Sequence, residues 1–232
     1  MKSIRKLIAL AAIAALASVA LGQSVQSSTD PSSQQILALQ VTMSFADRVT
    51  IPYALMVVFA KAHVPAGLVT ISSCGEEVAH QLNPSGTSLQ AALDSIISAE
   101  PSNRWQIADG VVNFLPAQNE PALLNVRIAH FELENVKSPQ YAIDKLLSLR
   151  EVQRALVELK LSQVPTQVGL TDLKRSGSEA DDPSLGFNVR CENVTLREAL
   201  NAMVRAHGYA VWAYTERRCK GRDEFRIESV VR

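Results

Sequence analysis

Histidines and carboxylates are the residues of this chain whose types and spacing suggest chemistry. His63 and His207 each stand near the end of a helical pattern, and Glu77 and His80 are three residues apart. Histidine serves as a general base or a metal ligand, and residues three apart share one face of a helix. A histidine near a helix C-terminus interacts favourably with the helix dipole, and this explains the positions of His63 and His207 better than catalysis does. The Glu77–His80 pair lacks the third and fourth ligands of a zinc site, so we expect no metal centre.

The common motifs of covalent catalysis and phosphate binding are absent from the sequence. There is no G-x-S-x-G nucleophile elbow, no G-x-G-x-x-G run and no P-loop. We therefore expect a non-catalytic protein with no cofactor. The alternative is a periplasmic enzyme with its site between two domains, and it requires His63, Glu76, Glu77 or His80 to converge in a deep cleft.

Two tryptophans and two arginines form the candidate binding surface. Trp105 and Trp212 each fall in the first strand of a predicted hairpin, and Arg217 and Arg218 stand at the charged tip of the second hairpin. An exposed aromatic face with a basic tip is suited to binding a protein or a peptide. The alternatives are tryptophans that cover the sheet and a hairpin tip that is simply solvated.

The first 22 residues have the layout of a secretory signal peptide. A basic start precedes an apolar run of about 15 residues, and small residues at Ala20 and Gly22 stand before Gln23. The run is shorter than the roughly 20 residues of a membrane-spanning helix. We expect cleavage near Gly22 and a periplasmic or secreted protein with no transmembrane segment in the mature chain. An uncleaved N-terminal anchor is the alternative.

The charge of the mature chain excludes a general attraction to nucleic acid. Three of the 23 basic residues lie in the predicted signal peptide and none of the 23 acidic residues does, so the mature net charge is −3. All three cysteines lie in the mature chain. Cys191 and Cys219 are a possible disulfide in an oxidising compartment, and three unpaired thiols are the alternative.

One short pattern occurs four times and predicts the architecture. It reads [S/T]-apolar-x-x-A-[L/I], and its copies begin at Thr50, Ser88, Ser138 and Thr195. The first residue caps a helix, while the alanine and the residue after it let the helix pack closely on a sheet. Two hairpins follow the second and fourth copies, and the first of these turns at Asp109-Gly110. The pattern predicts an α+β fold of two tandem β-α-β-α-β-β domains, with the helices packed on small mixed sheets.

The predicted organisation along the chain follows from these copies. The segments are a leader, two domains, a linker and a loop, and the third copy begins a long helix from Ser138 to about Lys160. In chain order they are a flexible leader and the start of the first domain at 23–41, a first domain at 42–116, a linker at 117–122, and a second domain at 123–232 with a mobile loop at 162–184.

Residues 42–116 resemble the short N-terminal domain of secretins and TonB-dependent receptors. The shared features are the order of strand, S/T-L-x-x-A-L helix, strand, second such helix, and a hairpin around D-G. The second half follows this order more loosely. Because no barrel or pore segment follows, the resemblance implies a periplasmic interaction module and not a channel, and it implies no catalytic residues.

The expected function is an exported, non-catalytic binding module of the bacterial cell envelope. Its expected partner is an envelope protein or peptide, bound through an open sheet edge that accepts a strand. A component of an envelope secretion or TonB-linked transport assembly is the alternative of a different class.

Overall fold

A computed structural model describes most of the chain after residue 30. The described residues are 31–42, 45, 47–73, 78–82, 87–165, 186–219 and 221–230. The predicted signal peptide, Cys74, Glu76, Glu77 and most of the predicted loop at 162–184 lie outside these ranges.

Six α-helices and twelve strands lie in the described residues. The helices are α1 (Pro31–Leu37), α2 (Ile51–Ala62), α3 (Leu89–Ala99), α4 (Pro139–Leu147), α5 (Arg150–Leu159) and α6 (Leu196–His207), with a 3-10 turn at Ala122–Asn125. The strands of the first half are β1 (Gln40–Val41), β2 (Val49–Thr50), β3 (Ala66–Ser73), β4 (Ala79–His80), β5 (Thr87–Ser88), β6 (Asn103–Ala108) and β7 (Val111–Pro116). Those of the second half are β8 (Arg127–Val136), β9 (Leu161–Gln163), β10 (Phe187–Thr195), β11 (Val211–Cys219) and β12 (Arg222–Val230).

The predicted caps begin three of the helices. Ser88 and Ser138 each accept a hydrogen bond from the backbone N–H three residues later. Thr195 and Glu198 form the predicted reciprocal capping box at the start of α6. Thr50 stands in the cap position of α2 with an extended backbone and without a side-chain cap bond.

Three local predictions are wrong. The helix predicted from Ser138 to Lys160 is two helices, because Leu149 has an extended backbone between α4 and α5. Gln153 stabilises this break by donating its side-chain amide to the carbonyl of Leu147. Part of the predicted flexible leader forms α1, and the start of the predicted mobile loop forms β9, a strand that pairs with β12.

Strands from both halves of the chain form one six-stranded sheet, which we call the central sheet. Its order is β6-β7-β3-β11-β12-β9, and β3 pairs in parallel with β11 from Ala66↔Val211 to Ser73↔Arg218. The predicted class, helices packed on small mixed sheets, is confirmed. The two halves nevertheless do not have separate main sheets, because β3 and β11 join them.

The central sheet is covered on both faces, one by each half. Leu68 and Ala213 point into a core with α2 and α3, whereas Val69 and Tyr214 point into a second core with α4, α5 and α6. This follows from the alternation of side chains along a strand. The antiparallel pair β8–β10 covers the second set of helices from its other side.

Candidate binding site at the edge of the central sheet

The strand β6 is at one end of the central sheet, and one side of its backbone has no neighbouring strand among the described residues. The N–H of Ala117 donates to the carbonyl of Ser102 at 2.8 Å, which fixes the alternation of the β6–β7 ladder. By that alternation, the backbone groups of Trp105 and Ile107 point away from β7. This edge is able to accept another strand.

The side chain of Trp105 lies at this edge and is only partly buried. Its Nε1 donates to Oδ1 of Asp94 on α3 at 2.8 Å. Trp105 and Ile107 pack against the core formed by α2 and α3. The edge therefore combines unpaired backbone groups with a fixed, partly exposed aromatic ring.

A groove of about 1240 Å³ runs beside β6. Its lining includes Ser33 and Leu37 of α1, Trp105 and Ile107 of β6, and Arg205 of α6. An extended chain in this groove would lie alongside the open edge of β6.

Trp212, the second predicted binding residue, is fully buried. Its Nε1 donates to Oδ1 of Asn201 on α6 at 2.9 Å. The neighbouring strand β3 covers it, because Gly67 of β3 stands beside its indole ring. Trp212 is therefore part of the core and not of a binding surface.

Arg218 lines a different, polar groove of about 650 Å³. Its Nε donates to Oε1 of the buried Glu216 at 2.8 Å, and the hydroxyl of Tyr214 donates to the other oxygen of Glu216. Burial, together with this bond to Glu216, raises the pKa of Tyr214. Arg217 is exposed on the neighbouring position of β11. Arg218 and Trp105 thus line different grooves.

The polar groove brings His80 next to Glu100 and Ser102. His80 Nε2 is 4.0 Å from Glu100 Oε2, and the hydroxyl of Ser102 donates to the other oxygen of Glu100. A serine nucleophile requires its hydroxyl to donate to the base that activates it. Here the acceptor of the Ser102 hydroxyl is the carboxylate of Glu100 and not His80.

His63 and His207 lie at helix ends, as predicted. His63 follows the last residue of α2 and has a left-handed backbone with φ 52°. His207 is the last residue of α6, and its ring contacts Phe187 and Tyr209 edge-on. Neither histidine lines the polar groove with His80.

The predicted pairing of Cys191 with Cys219 is wrong. Cys191 is a half-buried free thiol on β10, where it pairs with Phe131 of β8. Cys219 ends β11 in the central sheet and is disulfide-bonded. The two cysteines thus belong to different sheets.

The described residues contain no group of three or more His, Cys, Asp or Glu side chains that could hold a metal ion. Among the described helices, none has the length and apolar character needed to cross a membrane. The chain matches no protein-family model, no curated protein and no solved structure.

Proposed function

We propose that this protein is an exported, non-catalytic interaction module of the bacterial cell envelope that binds an extended segment of a partner along β6. The observation that supports this most is the open edge at Trp105 and Ile107, whose backbone groups point away from β7 and which both line the groove. Strand addition of this kind draws its affinity from main-chain hydrogen bonds and its specificity from side-chain contacts.

The side chains that line the groove determine which kind of peptide segment would bind there. Trp105, Ile107 and Leu37 give it apolar walls, while Ser33 and Arg205 give it polar ones. In an added strand, alternate side chains point to the same face. The bound segment therefore alternates β-branched or aromatic residues with polar ones.

Selection from a phage-displayed library of unconstrained peptides tests this function. The informative variant is Ile107→Pro, which removes an outward N–H but no hydrogen bond of the β6–β7 ladder. Ile107→Val is the matched control because it keeps that N–H. Peptides selected on the wild-type protein should bind Ile107→Val with similar affinity and Ile107→Pro at least about tenfold more weakly.

Amide hydrogen exchange supplies a second measurement that does not depend on a folded variant. Bound peptide should slow the exchange of the Trp105 and Ile107 amides on the wild-type protein. Failure to select any peptide, or equal binding to Ile107→Pro with circular dichroism unchanged, would overturn the proposal.

A further inference from the structure

The two faces of the sheet differ in chemistry along the open strand β6. Trp105 and Ile107 pack against the core of α2 and α3, and we call their side of β6 the apolar face. Arg104 points to the opposite face, because its ladder partner Leu115 belongs to the core of α4, α5 and α6. Gln106 shares that side with Arg104, and its Oε1 accepts a hydrogen bond from Nη1 of Arg104 at 3.2 Å. We call the side of Arg104 and Gln106 the polar face.

An exposed arginine lies near each end of the polar face. Arg104 is the second residue of β6 and is exposed. Near the other end, the exposed Arg205 of α6 donates from Nη1 to the carbonyl of Asp109, the residue that follows β6. Arg205 and Gln106 both line the groove beside β6. A strand bound along β6 would therefore have a guanidinium group near each end of its polar side.

Two aspartates also lie near this edge, and they act on a bound strand differently. Asp94 of α3 is on the apolar face, where its Oδ1 accepts from Nε1 of Trp105. Its charge disfavours an acidic side chain on that face of a bound strand. Asp109 is exposed in the hairpin turn and lines the groove, so it partly offsets the charge of Arg205.

The spacing of the arginines defines a pattern in the bound strand. Residues directly opposite each other in paired strands share a face, and residues two apart return to it. Arg104 and Ala108, the last residue of β6, are about 13 Å apart at the usual rise of a strand. Two bound residues four positions apart would thus reach Arg104 at one end and Arg205 at the other.

The three positions between those two residues are also defined. Two of them face Trp105 and Ile107 and are suited to apolar side chains, and the central one faces Gln106. The resulting order is acidic, apolar, polar, apolar, acidic. Because this order is the same in both directions, it fits a parallel or an antiparallel strand.

We propose that the segment bound at β6 is an acidic strand, with carboxylates at two positions four residues apart that pair with Arg104 and Arg205. This rests on the proposed function and names the chemical class of its partner. Guanidinium groups donate charge-assisted hydrogen bonds to carboxylates. Charge pairs at the rim of an interface act mainly on the choice of partner and on the rate of association.

The sequences of peptides selected on the wild-type protein give the first measurement. Acidic residues should be enriched at two positions four apart, on either side of two apolar positions. A fluorescent peptide that contains EVTVE should bind more tightly than its QVTVQ version, and the KVTVK version should bind most weakly. Raising the salt from about 20 mM to about 500 mM should weaken binding of the EVTVE peptide and leave that of the QVTVQ peptide nearly unchanged.

Neutral variants of the two arginines give the second measurement. Arg104→Gln and Arg205→Gln should each weaken binding of the EVTVE peptide about two- to fivefold, the size expected for one exposed charge pair. Arg154→Gln is the matched control, because Arg154 is an exposed arginine on α5, which packs beside β8 and β9. It changes the net charge equally and should leave the affinity unchanged. Circular dichroism checks that each variant is folded.

Two further variants should gain binding, which loss of folding does not imitate. Asp109→Asn removes the acid near Arg205, and asparagine tolerates the positive φ of 52° at this turn position. It should therefore bind the EVTVE peptide more tightly than the wild type does. The double variant Arg104→Glu with Arg205→Glu should prefer the KVTVK peptide to the EVTVE peptide, the reverse of the wild type.

Three outcomes would overturn the inference. They are selected peptides without the two acidic positions, an EVTVE peptide that binds the wild type no more tightly than KVTVK does, and folded arginine variants that bind EVTVE as the wild type does. If selected peptides still need the N–H of Ile107, the proposed function stands and only this inference fails. If no peptide binds, both fail.

Discussion

The indole ring of Trp212 on β11 lies against the backbone of Gly67 on β3, where strands from the two halves of the chain meet. A Cβ at Gly67 would come within 2.3 Å of two carbon atoms of the ring. The ring is fully buried, and its Nε1 is held by Asn201. The parallel pairing of β3 with β11 therefore depends on a residue without a side chain at position 67.

Gly67→Ala should destabilise the fold. The added methyl group has to displace a buried tryptophan, and overpacking of this kind costs about 1–3 kcal/mol, sometimes more. Urea unfolding followed by circular dichroism measures the change. Ser162→Ala on β9, the strand at the other end of the central sheet, is the control, and it should change the free energy of unfolding by less than about 0.5 kcal/mol. Equal losses of unfolding free energy in Gly67→Ala and Ser162→Ala would contradict the close contact of Gly67 with Trp212.

Asn201→Ala and Asp94→Ala should differ although they remove equivalent hydrogen bonds. Asn201 accepts from a tryptophan that is fully buried, so its loss leaves Nε1 of Trp212 without a partner and costs about 1–3 kcal/mol. Trp105 is partly exposed, so water is able to replace Asp94 as its acceptor. The free energy of unfolding should therefore fall more in Asn201→Ala. A larger loss in Asp94→Ala would contradict the difference in burial.

Cys191 should react slowly with iodoacetamide in the folded protein. Burial raises the pKa of its thiol, and the thiolate is the reactive form. Mass spectrometry of the alkylated peptide should show faster labelling of Cys191 after denaturation without a reductant. Cys219 is disulfide-bonded and should be labelled only after reduction. Labelling of Cys219 in the denatured, unreduced protein would contradict its disulfide.

Local signals in the sequence predicted α2, α3, α6 and the two hairpins, because those signals act within a few residues. Ser88 caps α3 and Thr195 caps α6, and Asp109 and Gly110 have the positive φ values that a tight hairpin turn requires. The break at Leu149 was not predictable from periodicity, since the apolar stripe continues across it. The strand β9 was missed because its pairing with β12 is decided about sixty residues away.

The difference in burial between Trp105 and Trp212 could not be predicted from local sequence patterns. Each stands in the first strand of a hairpin after a capped helix, so sequence reasoning placed both in one candidate surface. One is buried and the other is at an edge because β3 lies beside β11 and no described strand lies beside β6. That difference depends on a pairing between residues far apart in the chain. The repeated pattern predicted two similar units, and it contains no information about how they join.

The capping box of α6 should make stability depend on pH. The backbone N–H of Thr195 donates to Oε2 of Glu198 at 2.6 Å, and this bond is the main cause that lowers the pKa of Glu198 from its ordinary value of 4.5. The folded state therefore binds this proton less readily than the unfolded state. The ionised carboxylate of Glu198 therefore stabilises the fold above about pH 4.5, and this stabilisation is lost as the pH falls through the lowered pKa.

Urea unfolding between pH 7 and about pH 3 measures this contribution. Glu198→Gln keeps an acceptor without the charge, so its unfolding free energy should fall less steeply with acid than that of the wild type. Thr195→Ala is the comparison variant, because it keeps the backbone N–H but loses the side-chain cap. It should be less stable by about 1 kcal/mol at pH 7 and retain most of the acid dependence. If Thr195→Ala abolished the dependence of unfolding free energy on pH, its cause would be the side-chain hydroxyl of Thr195 and not the bond from its backbone N–H.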